Sequence, residues 1–140
     1  MNLVQQVRRA GVVGAGGGGF PTHVKLAAKA DTVIANGAEC EPLLHKDAAL
    51  MEHQAAAMVQ GMLLAMEAVG AGTGIFGIKA KNKHAVEMVT TACAGGPVRV
   101  HLLGDYYPAG DEYDLVHETT GRLDSSRWHS NQRGNSRRQC

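Results

Sequence analysis

The stretch KDAALMEHQAAAMVQGMLLAMEAVGAGTGIFGI, residues 46–78, decides the fold. From Lys46 to Val69 it reads as one long helix. Met51, Ala55, Met58, Met62, Met66 and Val69 recur at steps of three and four, which lays them along one face. Methionine fills irregular gaps well, so this stripe is read as core rather than as a cofactor contact. Gly70-Ala71-Gly72 ends the helix, and Gly74-Ile75-Phe76-Gly77-Ile78 follows as a buried strand. Upstream, Thr32-Val33-Ile34-Ala35 is a second short apolar run with β-branched residues, closed by Asn36-Gly37. Downstream, Asn82 caps a helix to about Ala94, and Val98 to Leu103 forms a third strand. There Val98, Val100 and Leu102 alternate with Arg99 and His101, as on a half-covered strand. Residues 2–10 give a short helix stopped by Gly11, and Thr22 to Ala30 another turn or two, capped by Thr22. Strands alternating with helices imply a parallel sheet with right-handed crossovers. The expected class is α/β, a Rossmann-like three-layer domain with a short parallel sheet.

Composition sets the bounds. The chain has 140 residues, enough for one domain with a real core, and a net charge of +1. That charge is uneven: residues 1–122 hold ten Lys/Arg against twelve Asp/Glu, and residues 123–140 hold four Arg against one Asp. No basic-aromatic surface suited to nucleic acid stands out before the tail. No apolar run has the length of a transmembrane helix, and the charged start MNLVQQVRRAG lacks the apolar core of a signal peptide. The three cysteines, Cys40, Cys93 and Cys140, follow no disulfide pattern, as expected of a reduced, cytoplasmic protein.

Ligands of a parallel α/β sheet lie beyond the carboxyl ends of the strands. Two loops leave those ends, residues 36–47 and 104–115, and each carries neighbouring carboxylates: Glu39 with Glu41, and Asp111 with Glu112. Carboxylates accept hydrogen bonds from sugar or ribityl hydroxyls and from ring N–H groups. A third segment, GVVGAGGGGFPTHVK at residues 11–25, has almost no side chains between Gly14 and Gly19. Bare N–H groups there make a nest for an anion such as phosphate, with Lys25 to add charge and Phe20 an aromatic face. A flexible linker is the plainer reading, disfavoured because Pro21 fixes the chain directly after the glycines. Cys40, His45 and Asp47 lack a further ligand at zinc-like spacing, so no metal site is assigned. His23 is read as a loop histidine rather than a base, and no catalytic residue is assigned.

Three blocks then carry a resemblance: GAGGGGFPTHVK, NGAECEP with Asp47 after it, and YPAGDE followed by TGR at 120–122. Together they resemble the RnfC-type component of Rnf electron-transport complexes and the electron-transfer protein of proline reductase systems. More remotely they resemble the flavin subunit of respiratory complex I and of NAD-reducing hydrogenases. The resemblance covers residues 7 to 122 and implies a domain binding FMN, with NADH stacked over the flavin. It places Gly14, Gly16, Gly17, Gly19, Phe20 and Lys25 around the phosphate and ring. It assigns Asn36, Glu39 and Glu41 to flavin or nicotinamide nucleotide, with Gly110, Asp111 and Glu112 completing the pocket. Ala15 stands where the remote relatives have arginine, and Gly18 where alanine is usual. The implied partners are other subunits of a membrane-associated electron-transport complex, at the inner face of the cytoplasmic membrane. Full-length relatives carry two 4Fe–4S clusters, and this chain, with no C-x-x-C, holds none by itself.

After Leu123 the resemblance stops. Relatives continue I-P-P-G-G-I-P, whereas this chain reads DSSRWHSNQRGNSRRQC. With suitable synonymous codons, deleting one base turns that tail into IPPGGIPISVGILVGNV. The expectation is therefore a domain over 1–122, incomplete at its C-terminus, followed by an out-of-frame disordered tail at 123–140. The function expected is an FMN- and NADH-binding fragment of an electron-transfer subunit that does not pass electrons onward alone. A non-redox nucleotide-binding module and an inactive product of a frameshifted gene are the alternatives.

Overall fold

The computed structural model describes residues 2–14, 18–39, 43–106 and 109–121, and for Glu112 and Tyr113 the backbone alone. The expectations placed on Gly16, Gly17, Glu41 and the tail from residue 122 lie outside the described residues.

Helix α1, Leu3–Arg9, starts at Asn2, whose side chain accepts from the Gln5 N–H at 2.9 Å while the Gln5 side chain accepts from the Asn2 N–H. This reciprocal capping satisfies two otherwise unpaired donors. Helix α2, Thr22–Leu26, starts at Thr22 as expected but is shorter, and its cap is Pro21 rather than Thr22. A proline's fixed φ suits a helix entry, so no side-chain cap is required.

Strands β1 (Thr32–Gly37), β2 (Thr73–Lys79) and β3 (Val98–Leu103) form a parallel sheet in the order β1-β2-β3. Ile34 pairs with Ile75, and Phe76 with Val100. The crossovers are α3, Lys46–Val69, and α4, Lys83–Ala92, both packed on one face of the sheet. The buried line of α3 is Met51, Ala55, Val59, Met62, Met66 and Val69; Val59 takes the place expected of Met58, which is half-buried. A kink at Gln54, where φ is −130°, turns the helix between Met51 and Ala55. Helix α3 stops where Gly70 turns left-handed at φ 76°, and the Ala71 N–H reaches back to the Met66 carbonyl. Asn82 precedes α4 as expected, but its side chain makes no capping hydrogen bond.

The other face is covered by α5, Glu112–Thr120, which the sequence pattern did not indicate. Leu115 packs with Leu103 and Ala38, and Arg99 donates to the Thr119 carbonyl at 3.0 Å. Gly77 makes this approach possible: a Cβ there would lie 2.5 Å from Leu115. The same face explains a departure in β3. Leu103 is buried beneath α5, whereas Leu102, on the α3/α4 face beyond the helices' cover, is 55% exposed. Three layers, α3/α4, sheet and α5, thus bring all three strand ends to one edge.

Candidate functional site

The exit of β1 is tied to the exit of β3. The Asn36 amide donates from Nδ2 to the Gly110 carbonyl at 2.8 Å and accepts from the Ala38 N–H at 3.0 Å. One side chain thereby joins two of the predicted site loops. Glu39 follows, with its side chain only 9% exposed. Its Oε2 accepts a long bond, 3.4 Å, from the Asp47 N–H in the first turn of α3, where a carboxylate is favoured. Its Oε1 is buried without a hydrogen-bond partner among the described residues, and the Lys46 ammonium stands 4.0 Å away. Leu43, further along this loop, holds a left-handed φ of 65° and is almost fully exposed.

At the end of the central strand stands Lys79, a residue the sequence reading passed over. Its side chain is 7% exposed, and Nζ lies 3.7 Å from Asp105, two residues beyond β3. Asp105 is much closer to the exposed Lys81, at 2.8 Å. The hydrogen bond from Lys81, with the charge of Lys79 added, holds the Asp105 carboxyl below its usual range. The available signal was a lysine closing an apolar run, TGIFGIK, at the carboxyl end of a central strand.

The exit of β3 is clasped to α5. The Tyr106 hydroxyl donates to the Glu118 carboxylate, which pushes the phenol up to about 12. Ala109 is fully buried, so the turn before Gly110 is anchored in the body. Asp111 accepts through its carbonyl from the Leu115 N–H at 2.9 Å, and Glu112 opens α5. The second acidic pair therefore stands at a helix entry rather than on a free turn.

The glycine loop is built elsewhere, on α1 and α2. Its neck is closed by an antiparallel bridge between Val13 and Pro21, by the Gly14 N–H on the Phe20 carbonyl at 2.9 Å, and by the Thr22 N–H on the Val12 carbonyl at 3.1 Å. Gly19 takes a left-handed φ of 55°, which suits glycine. The Lys25 ammonium lies 5.4 Å from the centre of the Phe20 ring, within cation–π range, and the ring is about half exposed. The described neck of the loop is thus pinned beside a cation and an aromatic face. Gly14, Gly19, Phe20 and Lys25 form one group, and Asn36, Glu39, Gly110 and Asp111 another at the strand edge. Among the described residues no helix is long and apolar enough to cross a membrane.

The chain is similar to known proteins. The family model of the Nuo51 FMN-binding domain matches residues 7–133. Cobalamin reductase PduS of Citrobacter freundii is 49% identical over 118 residues, 84% of this chain and 26% of that protein. The RnfC-type component of the Na+-translocating ferredoxin:NAD+ oxidoreductase complex of Acetobacterium woodii is 43% identical over 125 residues, 86% of this chain and 28% of the relative. Among solved structures, an NAD+-reducing [NiFe]-hydrogenase in the H2-reduced state superposes with a TM-score of 0.66 at 30% identity, over 86% of this chain and 24% of that one. The chain thus spans about a quarter of the length of these relatives.

Proposed function

Since the chain belongs to the Nuo51 FMN-binding domain family, we propose that it is the nucleotide-holding part of an NADH-linked electron-transfer subunit, binding FMN and receiving NADH. The observation that carries this reading is Glu39. A carboxylate oxygen buried without a hydrogen-bond donor costs about 1–3 kcal/mol or more, because it has given up water for nothing. Among the described residues Glu39 Oε1 has no such donor, the Lys46 ammonium standing 4.0 Å away, and a ligand hydroxyl or ring N–H supplies one. The residues present therefore fit a flavin nucleotide: acceptors at the strand edge for its donors, bare N–H groups and Lys25 for its phosphate.

When bound, the flavin supplies the hydride and one-electron chemistry; the chain supplies position and electrostatics. Asn36 holds the two strand-end loops in one register by its bond to Gly110. Glu39, fixed by the Asp47 N–H, presents its open oxygen to the ligand's donors. The glycine loop receives the phosphate on its backbone, and Phe20 offers its face to a stacked base. Gly16, Gly17, Glu41 and Glu112 complete these sets. Electrons leave toward other subunits of a membrane-associated complex, and the domain stands at the cytoplasmic face of that membrane.

Titration of the chain with FMN, followed by flavin fluorescence, tests the reading. Glu39→Gln is expected to weaken binding about ten-fold, the value of one charge-assisted hydrogen bond. Glu87→Gln, on the exposed face of α4, is the control and leaves it unchanged. Equal affinity in the two variants would overturn the strand-edge site.

A further inference from the structure

We propose that Lys79 is a further cofactor-binding residue: the fixed positive charge at the carboxyl edge of the central strand, facing the ring of a bound flavin. The inference rests on the FMN reading above. Lys79 closes β2 with its side chain 7% exposed, and its one ion-pair partner among the described residues is Asp105, at 3.7 Å. Asp105 is itself more than half exposed and already served by Lys81 at 2.8 Å. The salt link thus gives Asp105 little that it lacks, and gives Lys79 little in return. A lysine ammonium has three donors, and among the described residues the 3.7 Å link to Asp105 is the one charged contact Lys79 makes. A bound ligand with acceptors would engage the remaining donors.

The topology says which ligand group meets it. Asn36 pairs with Gly77, two residues before Lys79, so alternation sets Asn36 and Lys79 on the same face of the sheet. Lys79 therefore ends its strand between the β1 exit, which carries Glu39, and the β3 exit, which carries Gly110 and Asp111. The other lysines at that edge, Lys46 and Lys81, are more than half exposed and stand with Glu39 and Asp105, which leaves Lys79 as the buried cation there. The phosphate has the glycine loop and Lys25, on a different part of the fold, so the ring is left for Lys79. An isoalloxazine ring presents carbonyl and ring-nitrogen acceptors. A hydride from the dihydronicotinamide brings two electrons and one proton, leaving a nicotinamide cation and adding one negative charge to the ring. A buried ammonium offsets that charge, and so favours the reduced form over the oxidised one.

The test uses the full chain and two probes, FMN and riboflavin, with binding read by fluorescence and the flavin midpoint potential by redox titration. Lys79→Met is expected to weaken both flavins at least ten-fold. It should also lower the midpoint by about 30 mV, the equivalent of a ten-fold bias in a two-electron couple. Lys79→Arg restores most of both, and Asp105→Asn behaves as wild type. Should Lys79→Met fail to fold by circular dichroism, Lys79→Gln is read in its place. Unchanged binding and potential overturn the proposal. A loss with FMN but not riboflavin overturns the ring assignment in favour of the phosphate. The same loss in Asp105→Asn overturns it by making Lys79 a holder of the β3 exit. A wild-type chain that takes up neither flavin overturns the FMN reading itself, and this inference with it.

Discussion

At the scale of single residues, burial sets the Glu39 and Lys79 side chains apart from the exposed charged groups near them. Glu39 and Glu87 are both glutamates, but among the described residues Glu39 alone has a buried oxygen without a hydrogen-bond partner. Tyr106 offers a pH test of its own. Its hydroxyl bonds to Glu118 and its pKa is pushed up to about 12. The folded value is above the usual one of about 10, so this bond stabilises fully below pH 10 and is lost as pH rises through 12. An alkaline absorbance titration should show one tyrosine ionising near 12 that Tyr106→Phe removes; an unchanged titration would contradict the clasp. Cys93, buried at the end of α4, has its thiol pushed up by burial. Iodoacetamide at neutral pH should therefore label it slowly in the folded chain and quickly in urea, as peptide mass mapping would show. Carboxylates clustered beyond strand ends were legible in the sequence, because a parallel sheet dictates where such loops emerge. Lys79 was not, because a lysine closing a strand reads as its solvent edge until its burial beside Asp105 on the β3 exit is seen.

At the scale of elements, what could be read followed local periodicity. Helix α3 runs from Lys46 to Val69 as its stripe requires, and the three strands appear on the expected β-branched and apolar runs. Helix α5 escaped notice for a physical reason. Its sequence, EYDLVHETT, offers no stripe, and among its described side chains Leu115 is the buried apolar anchor, so its place depends on packing against distant Gly77 and Leu103. That dependence makes Gly77 a sensitive position. Gly77→Ala should force α5 away from β2 and cost about 1–3 kcal/mol in urea unfolding, as overpacking does. Because α5 starts at the Asp111–Glu112 pair, the same variant should weaken FMN. Loss of stability with full FMN affinity would show that α5 does not position the site.

At the scale of the whole molecule, one edge of a three-stranded sheet and one glycine loop are the parts that would hold a nucleotide. This chain retains both, in about a quarter of the length of its relatives. If these parts suffice to bind FMN and present it to NADH, the purified chain alone should do both. The most direct measurement is to saturate it with FMN, remove the excess by gel filtration, and add NADH without oxygen while recording the flavin absorbance. One FMN retained per chain, and bleaching of its visible band on addition of NADH, is the expected result. FMN that elutes free of the protein would contradict it.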